Sequence, residues 1–261
     1  MQFVKCFSLV FLLLIGCGEN QQLSFEKKED KIWHYSVIDA MRRGIYNGEM
    51  SIKELKKHGD FGLGTFNQLN GELIALDGVI YRIQPSGIVE VAKDSFMSPF
   101  TSMSFFKADI EKTVLFTGNF MELQKLIIEM LPSKNIPYAI KVETEWEEVL
   151  VGGSNPVSKN VYTDLSVLMK SRPQYKGRKV KGTMVGYFTP TLMNNIDLSP
   201  THFHFISEDK KFAGHIMSGI LKNKEIIISI DEKKGFNLEL PVYNERFKTL
   251  FYEVEEEKST Y

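Results

Sequence analysis

Three of the chain's five histidines, His202, His204 and His215, fall within fourteen residues. Their spacing admits few local structures. Successive side chains of a β-strand point to opposite faces, so His202 and His204 in a strand share one face. Glu208 to Lys211 is polar and suits a turn, and an apolar run resumes from Phe212 to Leu221. A hairpin closing about Asp209 and Lys210 sets His204 directly opposite His215, with His202 on the diagonal of the same face. Three neutral imidazoles with no cysteine among them favour zinc, or another borderline divalent metal such as iron, nickel or copper. Three protein ligands leave one coordination position open for chemistry. A core pair of aromatic-like histidines explains a lone His-x-His equally well, and the third histidine tips the reading towards metal.

The N-terminus reads as an export segment rather than part of the fold. Lys5 gives a basic start, Phe7 to Ile15 is almost wholly apolar, and Leu14-Ile15-Gly16-Cys17 has the form of a lipobox. The apolar run is shorter than the roughly 20 residues of a membrane-spanning helix. Residues 1–16 are therefore expected to be a lipoprotein signal peptide, with lipid attached at Cys17 and 17–32 acting as a tether. The protein is expected to be exported and lipid-anchored to a bacterial membrane, on its periplasmic or extracellular face. Loss of Cys6 with the signal and of Cys17 to lipid leaves no free thiol, which excludes disulfides and cysteine catalysis. The formal net charge of −1 leaves no electrostatic footprint for nucleic acid. An apolar fraction of 43% indicates a packed core.

Along the chain, periodicity predicts a helix over Trp33 to Gly48 and a second from Ser51, where Ser51 and Glu54 form a capping box. Asp60 to Asn67 is glycine-rich but lacks the Lys-Ser/Thr of a phosphate loop and follows a helix, so nucleotide binding is not expected. Short strands are predicted at Glu72–Leu76, Val79–Ile83, Ile88–Val91 and Phe100–Phe106, then a helix over Phe120–Leu131 and a strand at Tyr138–Val142. Gly152 to Pro156 is the clearest breaker run and the expected junction between an N-terminal α/β half, 33–152, and a β-rich metal-binding half, 153–261. A short helix over Tyr162–Met169 follows. Strands are then predicted at Gly182–Tyr187, in the histidine hairpin, and at Glu225–Ile230 and Phe236–Leu240.

Three blocks, His58 to Asn67 with Gly71-Glu72, Gly182 to Pro190, and His202 to Phe205 with Gly214-His215, resemble the α-acetolactate decarboxylases in order and spacing. The resemblance runs from about Trp33 to the C-terminus. It implies an α/β fold of the α+β kind, with two halves each on a mixed or antiparallel sheet with a few helices, and a homodimer. The implied reaction converts 2-acetolactate to (R)-acetoin and CO2 on a zinc ion held by His202, His204 and His215. Glu72 and a C-terminal glutamate, Glu256 or its neighbour Glu255, are the implied catalytic carboxylates, and Thr65 the implied substrate-binding residue. The substrate class is a small 2-hydroxy-3-oxo acid.

One departure matters. The arginine implied by the resemblance aligns with Gly153, and Val151 to Tyr162 contains no arginine. Lys159, or Arg172 or Arg178 from farther along, are the cations available to replace it. Slower or altered turnover is one consequence, and a metal-binding lipoprotein without turnover is the alternative function. A cupin-like metalloenzyme is a further alternative, requiring Glu208 to join the histidines as a ligand.

Overall fold

The computed structural model describes residues 30–250. Short strands come first: β1 (Ile32–Tyr35), β2 (Met50–Ser51), β3 (Phe61–Thr65), β4 (Glu72–Leu76), β5 (Val79–Ile83), β6 (Val89–Val91), β7 (Met97–Ser98) and β8 (Phe100–Ser104). Single-turn helices α1 (Ile38–Arg42) and α2 (Ile52–Leu55) lie among them. Longer strands follow: β9 (Ile110–Asn119), β10 (Tyr138–Gly152), β11 (Gln174–Phe188), β12 (Thr201–Ser207) and β13 (Ala213–Glu232), then the short β14 (Phe236–Glu239). Helices α3 (Phe120–Met130), α4 (Leu165–Leu168) and α5 (Glu245–Thr249) complete the set. The arrangement is the expected α+β type, mostly sheet with few helices.

Seven strands in the order β14-β1-β8-β3-β4-β5-β6 form the first sheet. Five in the order β10-β11-β12-β13-β9 form the second, and an additional β10–β13 pairing closes four of them into a ring. The change of sheet falls between Ser104 and Ile110, not at Gly152–Gly153, because β9 and β10 pair with β13. The glycine run ends β10 without separating two units. β14 then returns to pair in parallel with β1, joining the last described strand to the first.

The helix expected over Trp33 to Gly48 is instead β1 followed by the single turn α1. All four β1 residues are buried, flanked by β8 on one side and β14 on the other. Strand pairing from both sides outweighs a helical spacing of apolar residues. The Ser51 cap is present, its hydroxyl accepting the Glu54 N–H. α3 begins at a full capping box between Asn119 and Glu122 and buries Leu123 and Ile127 on the second sheet. β3 is a strand, so the glycine-rich stretch is sheet rather than a phosphate loop.

The two sheets face each other through a shared core. Leu63, Ile74 and Ile83 of the first meet Val185, Tyr187 and Ile206 of the second. Burying each large aliphatic side chain stabilises by roughly 1.5–3 kcal/mol, so this layer fixes how the sheets sit relative to one another. Tyr187 is fully buried, and its hydroxyl lies 3.1 Å from both Ser104 Oγ and the Phe61 carbonyl. Among the described residues no helix is long and apolar enough to cross a membrane.

Candidate metal centre and its acidic neighbour

The histidine hairpin has the register that its turn composition predicts. His204 pairs with His215, Phe205 with Gly214 and Ile206 with Ala213. The β12–β13 ladder stops at His204–His215, and β13 continues along β10 with a register shift that skips Met217. Such a bulge increases local twist, and the β12–β13 pairing does not extend to His202. Gly214 has φ +153°, and a Cβ there would lie 2.8 Å from the Gly152 carbonyl oxygen. Only glycine fits that approach of β10 to the residue before His215.

The three rings lie 4.9, 5.0 and 5.3 Å apart between centroids. One nitrogen from each falls within 4.8 Å of the others. His202 Nε2 and His215 Nδ1 are 3.2 Å apart, close to the about 3.3 Å that two nitrogens adopt on one tetrahedral zinc with Zn–N bonds near 2.05 Å. His204 Nδ1–H donates to the Leu73 carbonyl at 2.9 Å, which fixes its tautomer and leaves buried Nε2 without a partner. A backbone carbonyl holding the far nitrogen is the usual support of a metal-ligating histidine. Here it comes from the opposite sheet. Burial drives the His204 pKa down to about 3 and holds His202 and His215 well below their ordinary range. Neutral imidazole is the form that binds metal, so the donor set fits a borderline divalent ion.

Asp197, fully buried, supports the cluster from behind. It lies 4.0 Å from His202 Nδ1 and 3.5 Å from His34 Nε2, and it accepts from Ser102 Oγ at 2.9 Å and from the Leu198 N–H at 2.6 Å. Burial pushes its carboxyl up, but His34, His202 and the Leu198 N–H outweigh that and leave it below the usual range.

Glu72 reaches the same place from the first sheet. It begins β4 and pairs with Thr65 at the end of β3. The Thr65 hydroxyl donates to the Gly71 carbonyl at 2.8 Å and so pins the turn that carries Glu72. Glu72 is 7% exposed, with Oε2 3.8 Å from His204 Nε2 and Oε1 3.3 Å from Arg172 Nη2. Burial pushes its carboxyl up to about 7, against the opposing pull of the Arg172 charge and a smaller one from Ser154. A carboxyl placed so is half protonated near neutrality and suited to general acid work.

A cavity of about 260 Å³ connects these groups. Glu72, Thr65, Arg172, His202 and His215 are among its polar lining, and Ile38, Met41, Phe100, Leu165 and Met169 among its apolar lining. The remaining candidates lie elsewhere. Glu208 is exposed and pairs with Lys181 at 3.1 Å, so the cupin-like ligand set is not formed. Lys159 is exposed, and Arg178 pairs with Glu148 at 3.2 Å on the surface. Cys17, Glu255 and Glu256 lie outside the described residues. Sequence reasoning missed Asp197, Ser154 and the apolar wall. A carboxylate five residues before His202 was the only available signal for Asp197.

Residues 32–251 match the family model described as alpha-acetolactate decarboxylase. The alpha-acetolactate decarboxylase of Bacillus licheniformis is 33% identical over 226 residues, covering 87% of this chain and 88% of that protein. That of Methanosarcina mazei is 34% identical, covering 81% of this chain and 73% of its own. The crystal structure of acetolactate decarboxylase from Bacillus subtilis subspecies spizizenii superposes with a TM-score of 0.79 at 33% identity, covering 84% of this chain and 93% of that one.

Proposed function

The chain belongs to the alpha-acetolactate decarboxylase family and is a carboxy-lyase, and from that premise we propose that it converts 2-acetolactate to (R)-acetoin and CO2 with a zinc ion held by His202, His204 and His215. The observation that carries this reading is a cluster of three neutral imidazoles, two of which, His202 and His215, line one small cavity together with the buried carboxyl of Glu72. Bound there, zinc supplies Lewis-acid stabilisation of the oxygen charge that develops as CO2 departs.

The chain's own residues do the rest. Departure of CO2 breaks the bond between the carboxyl carbon and carbon 2, and the electron pair moves onto the neighbouring ketone oxygen to give an enediolate. Protonated Glu72 delivers its proton to carbon 2 from the one face it occupies, and the carbonyl re-forms as acetoin. A fixed donor on one side selects one enantiomer. Thr65 has committed its proton to Gly71, so it offers the substrate hydroxyl an acceptor lone pair. The wall of Ile38, Phe100 and Leu165 takes the methyl groups and keeps bulk water from the carbanionic carbon. Zinc-loaded protein given racemic acetolactate is expected to form acetoin well above the spontaneous rate. Acetoin at the spontaneous rate alone would favour the alternative of a metal-binding protein without turnover.

The pKa of Glu72 sets a pH dependence. In the metal-free protein its carboxyl is expected to titrate near pH 7, followed by infrared difference against Glu72→Gln. The folded value lies above the ordinary 4.5, so the native state keeps a proton that the unfolded chain releases. Its contribution to stability is therefore full below about pH 4.5 and is lost as pH rises through about 7. A carboxyl titrating near 4.5 would contradict this.

The reading extends to a homodimer and to lipid attachment at Cys17, with the enzyme exported and anchored on the periplasmic or extracellular face of a bacterial membrane. The support is the Leu14-to-Cys17 sequence, which lies outside the described residues. Labelled palmitate is expected to enter the wild-type chain and not Cys17→Ser; equal labelling of both would overturn the anchor.

A further inference from the structure

We propose that Arg172 is the carboxylate-binding residue of this site, brought in from the segment after α4 and seated on a notch formed by Gly152 and Gly153. Among the described residues it is the only lysine or arginine lining the cavity. Its side chain is 12% exposed. Nε donates to the Gly153 carbonyl at 2.9 Å and Nη2 to Glu72 Oε1 at 3.3 Å. Its hydrogen bonds among the described residues use Nε and Nη2, which leaves the donors of Nη1 for a ligand in the cavity that Arg172 lines. A guanidinium presents parallel N–H donors that match a carboxylate two-pronged, and it stays charged at any working pH.

Its placement is built rather than incidental. The Gly153 N–H donates to the Pro173 carbonyl at 3.0 Å while Arg172 Nε returns a bond to the Gly153 carbonyl, so the two backbones are stitched at two points. A Cβ on Gly152 would lie 2.6 Å from Arg172 Nε and 2.8 Å from its Cζ. No side chain at 152 is compatible with the guanidinium where it lies. The cation that the family resemblance expects at Gly153 is thus supplied from a residue nineteen positions later in the chain. The same segment places Leu165 and Met169 on the cavity wall. One stretch of chain therefore brings the anion-binding group and part of the apolar cover together.

The ligand chemistry is that of a small 2-hydroxy monocarboxylate whose carboxyl meets Arg172 while its remaining oxygens face the histidines. This identification of the ligand rests on the decarboxylase reading, but carboxylate binding can be measured without turnover. The probes are 2,3-dihydroxy-2-methylbutanoate, which has no ketone and keeps its carboxyl, and the neutral 2-methylbutane-2,3-diol. Calorimetry would use the zinc-loaded chain, with metal content and thermal midpoint checked for each variant. Losing charge-assisted bonds, Arg172→Gln should weaken the acid by about 10- to 150-fold and the diol by no more than about twofold. Arg172→Lys should fall between, and guanidinium ion should restore part of the acid's affinity to Arg172→Ala, which a merely structural role would not allow. The KM for acetolactate should rise with the loss of acid affinity, by more than kcat falls.

Unchanged acid affinity in folded, metal-loaded Arg172→Gln overturns the proposal, as does a wild-type protein that binds acid and diol alike. Acid binding that depends on Arg172 without acetoin formation would sink the decarboxylase reading and leave the clamp standing. Turnover with acid binding indifferent to Arg172 would do the reverse.

Discussion

Replacing Glu72 with glutamine is expected to lower kcat for acetoin formation by about a hundredfold to ten-thousandfold, the usual worth of a positioned general acid. Glutamine keeps the shape of the side chain and an oxygen for the Arg172 Nη2 now 3.3 Å away, but it has no acidic proton to give. Zinc content should match wild type, because the carboxyl stands 3.8 Å from His204 Nε2 and is not one of the three clustered ligands. The residual product should also lose its enantiomeric preference, since the proton would then come from water on either face. Steady-state kinetics, metal analysis and chiral chromatography on one preparation separate these effects. A Glu72→Gln enzyme with wild-type kcat would mean that this glutamate only closes a turn.

His204→Ala is expected to abolish stoichiometric metal and reduce turnover to background. His204 is the most buried of the three, and its orientation is set by Leu73 across the sheet interface. Two remaining imidazoles cannot hold the ion with the same affinity. At a free zinc concentration about a thousand times the dissociation constant, bound metal stabilises the fold by about 4 kcal/mol. Wild type should thus melt on the order of 10 °C higher with zinc than with a chelator. His204→Ala should show no such difference. An equal zinc-dependent rise in both would place the metal somewhere else.

The hairpin was legible because everything that fixes it is local. A polar turn, two apolar arms and period-two alternation determine that His204 faces His215, and a one-residue slip would carry His202 and His204 to the opposite face. Glu72 was harder. Its turn looks solvent-exposed in isolation, and it is buried because the second sheet closes over β4 through Ile74, Val185 and Ile206. β1 was misread as helix because the strand that completes its pairing, β14, lies some two hundred residues away. β9 was missed because Glu111, Lys112 and Thr113 are three consecutive exposed polar residues that break the apolar alternation at its start. Arg172 stood among three candidate cations that sequence could not rank. The choice depends on the path of the chain after α4, which the Gly152–Gly153 notch determines through a contact no periodicity encodes.

The most direct test of the centre is anomalous diffraction on both sides of the zinc absorption edge, from crystals of the zinc-loaded protein. The expected result is one peak bounded by His202, His204 and His215, about 2.0–2.1 Å from a nitrogen of each, with its open side towards Glu72 and Arg172. A peak at any other residues, or none with zinc present in solution, would contradict it.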